Sequence, residues 1–393
     1  GTVVLAQNGS FTYTSAAGFF GSDSFAYALL DTYGASAAGT VNLTVAQATS
    51  NHAPDAKNDN FSAYYGEEIA GNVLANNGSG ADSDPDNNAL NVVETSITTA
   101  QGVTFLMSPN GSFAYVAPED FIGTDSFSYT VSDGHGGRDT ASVSLQIAAP
   151  TGAIVGTAAA NNLNGTSNVD FIIGLGGNDS ITGGSNNDKL FGGSGNDNMS
   201  GGSGNDLLKG GSGNDALDGG SEDDILSGGS GNDNLVGGSG NDTMDGGTGN
   251  DSLDGGSGDD LMTGGDGVDA FQGGSGNDIY WSGDGAGTMT GGSGQYTYVF
   301  THDTAFSGID VVTDFSKSGG DKLDINDLIS FDPLHDVLTS FVEITASGGN
   351  SIVKVDADGT GTAFSMTQIA TLQGVTGLTD EAALVASGNL IVS

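Results

Sequence analysis

The residues best suited to chemistry in this 393-residue chain are aspartates set nine apart. They are Asp170, Asp179, Asp188, Asp197, Asp206, Asp215, Asp224, Asp233, Asp242, Asp251, Asp260, Asp269 and Asp278. Two places after each stands an apolar residue, from Ile172, Ile181 and Leu190 through to Phe271 and Tyr280. The unit is cleanest as G-G-S-G-N-D-x-hydrophobic-x, and it runs without slip from Gly165 to Trp281. Carboxylates beside bare glycine carbonyls form an all-oxygen donor set. That set suits Ca²⁺, which takes roughly six to eight oxygen ligands. Charge points the same way: Gly165 to Trp281 holds twenty acids against Lys189 and Lys209, a net of −18. If one ion bridges each aspartate to the one two units on, thirteen aspartates give at most eleven sites. Eleven divalent ions bring +22, close to neutrality.

The elements that would position these carboxylates follow from the spacing. The six residues rich in Gly and Asn favour a turn, since both tolerate positive φ. The remaining x-hydrophobic-x makes a short strand with its middle side chain inward. Two units bring the chain once around, so successive coils stack at about 4.8 Å and the carboxylates fall into two rows. One apolar residue in nine cannot offset the conformational entropy of so glycine-rich a segment. The ions are therefore expected to be a condition of the fold: disordered without metal, ordered with it. A flexible acidic linker would explain the composition but not thirteen in-register pairs.

The nonapeptide resembles the calcium-binding repeat of RTX (repeats-in-toxin) proteins, and the resemblance implies a parallel β-roll over 156–299. Flanking units lack the aspartate: Asn161 precedes Leu163, Gly287 precedes Met289 and Tyr296 precedes Tyr298. On this reading Asp170 and Asp278 are the outermost ligands. Phe271, Tyr280, Trp281, Tyr296, Tyr298 and Phe300 then cover the open end, as a solenoid requires. The segment Ile309 to Ile329, with Asp310, Asp314, Asp321, Asp324 and Asp327, is similar to the stretch that follows RTX repeats in type I secretion substrates. Its aspartates either hold further calcium or cap turns. The ending Asn389-Leu-Ile-Val-Ser resembles an uncleaved type I secretion signal, so 300–393 reads as cap and secretion region. Thr379 to Ala386, with an N-cap and early acids, reads as a short helix.

The N-terminal half repeats at a different period. N-G-S-F-T-Y at Asn8 returns as N-G-S-F-A-Y at Asn110, and G-S-D-S-F-A-Y at Gly21 returns as G-T-D-S-F-S-Y at Gly123, an offset of 102 residues. Alternation at Phe113/Tyr115, Phe127/Tyr129/Val131 and Val143/Leu145/Ile147 reads as half-buried antiparallel strands. These features resemble bacterial Ig-like or cadherin-like repeats. Residues 51–149 form a complete unit, and 1–46 only the second half of one. That half unit exposes its core unless strands from upstream or from a partner cover it. The chain opens at Gly1 without methionine, which suggests a piece of something longer. Asp82, Asp84 and Asp86 cluster in A-D-S-D-P-D-N. Asn87 stands where an EF-hand loop needs glycine. The resemblance to cadherin-like repeats implies a calcium-binding loop here with Asp55, Asp59 or Glu67 near it, and the alternative is a solvated acidic turn.

Composition narrows the function further. A net charge of −42 with seven Lys plus Arg argues against nucleic acid and anionic membranes as partners. No cysteine is present, and no apolar run is long enough to insert in a membrane. The four histidines, His52, His135, His302 and His335, share no metal spacing, and H-E-x-x-H, G-x-S-x-G and Walker motifs are absent. The expectation is an all-β, noncatalytic chain with no catalytic residues and no cofactor besides Ca²⁺, located outside the cell or on a bacterial surface. Three functions fit: the C-terminal region of an RTX adhesin, a self-assembling fibre, matrix or surface layer, and the noncatalytic secretion module of an RTX hydrolase or toxin. Expected partners are calcium, a type I exporter, and other copies or a surface ligand.

Overall fold

The computed structural model describes residues 1–47, 50–281, 283–301, 307–329, 336–357 and 366–392. His302 and His335 lie outside them. The architecture is all-β, with one short α-helix, Glu381–Ser387, among the described residues.

The first 45 residues form two antiparallel hairpins, Thr2–Leu5 with Phe11–Thr14 and Gly21–Leu30 with Ser36–Val45. The second unit repeats the second hairpin, keeps the first only as a single bridge between Met107 and Phe113, and adds more. Gly123–Ser132 pairs with Arg138–Ala148, whose far edge takes Asp59–Tyr64 in parallel, while Ile69–Asn72 pairs with Ser112–Tyr115. The additions close a sandwich core around Tyr115, Phe127, Tyr129, Val131, Val143 and Leu145. The repeat extends to single bonds: Tyr115 donates to Asp125 at 2.8 Å as Tyr13 does to Asp23 at 2.6 Å. What differs is cover. Phe113 and Val131 are 5% and 0% exposed, whereas their counterparts Phe11 and Leu29 are 41% and 64% exposed.

From residue 154 the chain winds as a parallel solenoid. Alternate strands build two sheets, one of eleven strands and one of twelve. Each strand pairs in parallel with the strand eighteen residues on, as Leu208 with Leu226 and Leu217 with Leu235. Two nonapeptides therefore make one coil. The eighth-place residues from Ile172 to Met289 point inward and form one continuous core. The strands are longer than the expected x-hydrophobic-x. Leu207–Ser212 runs through the Gly-Gly-Ser of the next unit, leaving only Gly-Asn-Asp as the turn. The second-place glycine makes this possible: Gly211 sits at φ +110°, and a Cβ there would collide with the Gly193 carbonyl one coil away.

The C-terminal region closes the roll by continuing it. Asp310–Val312 and Thr367–Leu372 extend one sheet, and Lys322–Asp324 and Leu390–Ile391 end the other. Tyr280 stacks on Tyr298 at 5.1 Å, and both are buried with Tyr296, Phe300 and Phe315. Trp281 takes no part in this cover: as a ninth-place residue it faces outward and is 45% exposed. Asp380 caps the helix by accepting the Ala383 N–H at 2.9 Å.

Candidate metal centre

The turns stack, so each sixth-place aspartate lies beside the one eighteen residues away. Asp170, Asp188, Asp206, Asp224, Asp242, Asp260 and Asp278 form one row; Asp179, Asp197, Asp215, Asp233, Asp251 and Asp269 form the other. One oxygen of each interior carboxylate has a fixed partner. Asp206 Oδ1 accepts the backbone N–H of Asp188 at 2.7 Å, and Asp233 Oδ1 accepts that of Asp215 at 2.8 Å. The other oxygen, Oδ2, is buried and has no hydrogen-bond partner at any of the twelve aspartates from Asp179 to Asp278. Buried carboxylate oxygens left bare are costly, and here the cost recurs at every turn.

First-place glycines shape the space around these oxygens. A Cβ built on Gly183 would lie 2.5 Å from Asp188 Oδ2 and 2.7 Å from the Gly201 carbonyl oxygen. At Gly246 the same point lies 2.5 Å from Asp251 Oδ2 and 2.6 Å from the Gly264 carbonyl oxygen. Carboxylate and carbonyl oxygens thus converge where only glycine leaves room. Among the described residues no three acidic or histidine side chains gather at one point, so a row offers two carboxylates plus carbonyls at each step. A hard divalent cation that takes oxygen ligands fits this donor set. Bound there, calcium supplies positive charge to otherwise uncompensated carboxylates.

Burial also sets the protonation of these carboxylates. Burial, followed by neighbouring carboxylates, pushes Asp215, Asp224 and Asp260 up to about 7 against the partial relief of one backbone N–H each. Asp197, Asp206, Asp233 and Asp269 rise to about 6, burial again first. Asp179, Asp188, Asp242, Asp251 and Asp278 shift upward for the same reason.

The ends of the rows differ from the sequence reading. Asp170 is only partly buried, and its Oδ2 accepts the Thr166 N–H at 2.6 Å and the Thr166 hydroxyl at 2.9 Å. Asn161, one unit earlier, accepts the same two groups from Thr157. Nor is Asp278 the last aspartate in the stack. Asp310 accepts the N–H of Gly287 and Asp321 that of Tyr296, so both occupy sixth-place positions one coil beyond units that lack the aspartate. Asp321 Oδ2 also accepts the Ser316 N–H, so both its oxygens are held by protein. Periodicity could not reveal these two, because they follow their partners by 23 and 25 residues rather than 18.

Asp82, Asp84 and Asp86 do not come together. In an extended strand these alternate residues would share one face, but the chain turns here: the Asn87 N–H bonds the Asp84 carbonyl at 3.0 Å and Asn87 takes φ +59°. Asp82 turns inward, taking the Lys57 N–H at 2.6 Å and standing 3.0 Å from the Tyr129 hydroxyl. Asp84 accepts the N–H groups of Asp86 and Asn88 and closes a local turn. Asp86 accepts the His52 N–H at 2.7 Å. Asp82 instead joins Asp59, which the Tyr129 hydroxyl meets at 2.9 Å; burial raises Asp59 to about 6. Asp55 pairs with Lys57, and Glu67 accepts the Tyr64 N–H.

A coil of glycine turns lined with bare aspartate oxygens defines a calcium-binding β-solenoid. Comparison with known families agrees. The model of the RTX calcium-binding nonapeptide repeat matches in overlapping four-copy windows between residues 155 and 297, and that of the bacterial Ig domain matches 1–44 and 51–146. The chain thus has the makeup of an RTX protein with an Ig-like region. Neither matched family is catalytic. No curated protein sequence matches it. Among solved structures, the endo-fucoidan hydrolase MfFcnA4 of glycoside hydrolase family 107 aligns at 14% identity over 42% of this chain, with a TM-score of 0.20. A point variant of that enzyme aligns at 15% identity with the same coverage and score. The aligned part spans a quarter of that hydrolase's length, 25%. No described helix is long and apolar enough to cross a membrane.

Proposed function

We propose that this chain is the calcium-folding C-terminal region of a secreted or cell-surface RTX adhesin. It divides into a half Ig-like unit (1–46), a complete one (51–149), the roll (156–299) and a cap with the export signal (300–393). The observation that carries the reading is the pair of rows of buried, unpartnered Asp Oδ2 atoms. Adjacent partners along the two rows number six and five, so about eleven ions fill them. The metal ligands are Asp170 to Asp278 at nine-residue steps. The Asp170–Asp188 step is the weakest, since Thr166 already serves Asp170.

Where calcium is scarce, the roll stays unfolded and threadable. Outside the cell, binding makes folding favourable and draws the chain outward. The Ig-like units act as spacers. A calcium titration followed by circular dichroism tests the folding step: a cooperative gain of β signal is expected, and an unchanged spectrum sinks the proposal. Deleting 374–393 should abolish export through a type I exporter; normal secretion of that truncation would remove the signal assignment. The uncovered apolar face of residues 1–46 favours a second reading, self-assembly into a fibre or surface layer. Sizing with and without calcium separates the two.

A further inference from the structure

The outward face of the roll is not uniform. Seventh- and ninth-place side chains point outward. On the twelve-stranded sheet they begin as polar residues: Ser180 and Thr182, then Asn198 and Ser200. On the opposite sheet the first coils carry Phe171 and Ile173, then Phe191 beside Lys189, then Leu207 beside Lys209. Leu175 departs from the repeat as well. It occupies the second place, which the inner units give to glycine, and it keeps the left-handed backbone there at φ +69°. A leucine is held in that conformation only when its surroundings favour it.

The apolar ones pack against the sandwich: Ile173 and Phe191 are buried, and Phe171, Leu175 and Leu207 are partly buried. Ile173 and Phe191 belong to the same core cluster as Tyr65, Tyr115 and Phe127, with Phe171, Leu175 and Leu207 packed against it. The Phe191 ring stacks on Phe171 at 5.1 Å and meets Tyr65 edge-on at 5.4 Å. A Cβ on Gly66 would approach Phe191 to 3.1 Å, so the backbone of the sandwich comes down onto that ring. Asp120, on a loop of the sandwich, accepts the Ser194 N–H at 2.9 Å and the Ser194 hydroxyl as well. Ser194 ends the strand just before the turn that carries Asp197.

We propose that the outer face of the first coils is a calcium-dependent docking surface for the Ig-like unit of the same chain, so that ion binding in the roll fixes the angle between the two. The inference rests on the roll folding with calcium, as proposed above. The face draws its side chains from strands eighteen residues apart, so it exists only when successive coils are stacked. Without ions, Phe171, Phe191 and Leu207 are scattered along a flexible chain, and the sandwich pivots freely. Docking and ion binding at the first coils then support each other reciprocally.

Because the chain has no cysteine, paired spin labels go on cleanly at Ser128→Cys and Ser252→Cys, both exposed positions. At saturating calcium the parent should give one narrow distance. Ile173→Ser combined with Phe191→Ser should lose it, while Ile225→Ser, on an apolar residue one strand beyond the contact and 52% exposed, should keep it. Circular dichroism of the same samples reports roll folding separately. If the parent spectrum ignores calcium, the folding premise fails. If it responds and the double variant keeps the narrow distance, the docking surface is wrong. Should the double variant lose its own calcium response, Asp120→Lys replaces it, since Asp120 is exposed and lies outside the roll. A broadened distance there supports the proposal, and a narrow one overturns it.

Discussion

Asp125 in the sandwich and Asp215 in the roll are both buried, yet their environments are opposite. Burial works to raise Asp125, but Tyr115, Ser126, Gln101 and Thr99 all donate to it and hold it below the usual carboxylate range. Asp215 has one backbone donor and a bare oxygen, and burial lifts it to about 7. Asp125 is satisfied by protein groups, whereas the roll aspartates leave one oxygen each for a cation. The same division holds for apolar burial. Each sandwich strand sends alternate residues into a shared core, while each roll unit contributes one. On the proposed reading, stability is built into the covalent chain in one region and depends on bound calcium in the other.

The widest separation between the regions should come from calcium removal. With a chelator, amide exchange across 156–299 is expected to become fast while strands 123–132 and 138–148 stay protected. Equal loss in both regions would show that the sandwich also depends on metal. Acidification comes next. The roll carboxyls have folded values above the ordinary carboxylate value of about 4. Ionising them therefore opposes folding, and the penalty is absent below about pH 4 and complete above about pH 7. The metal-free chain should gain β signal as pH falls from 7 toward 4. With calcium present, more metal should be needed at lower pH, because protons compete for the same oxygens. Opposite trends in circular dichroism would contradict the bare-oxygen account.

Leu145→Ala cuts a fully buried side chain from the sandwich and should cost about 2–5 kcal/mol. Urea melts of the sandwich should give that loss with or without calcium, and a calcium-dependent value would blur the comparison. Smaller effects distinguish positions within the roll. Asp224→Asn removes charge from two adjacent ion positions and should raise the calcium midpoint roughly tenfold or more, at least the cost of a lost supporting contact at a metal site. Asp170→Asn should shift stability by no more than ~0.5 kcal/mol, because Asn161 already makes the same bonds to Thr157. Calcium titrations of the two variants side by side check both.

The period of nine by itself determined the coil, the inward residue and the oxygen chemistry, since identical local units must stack identically. The 102-residue repeat likewise marked the sandwich strands 123–132 and 138–148, which pair. Tertiary structure decided what depends on distant contacts. It showed that the outer oxygen of Asp170 is satisfied and the next twelve are not, a matter of which donors the turn supplies. It placed Asp310 and Asp321 in the stack across insertions that break the period. It separated Asp82 from Asp84 and Asp86, because a turn at 84–87 breaks the alternation that would have set all three on one face. And it gave Phe171, Ile173 and Phe191 a partner: apolar side chains on an outer face state a need for cover, and only the folded chain shows what meets it.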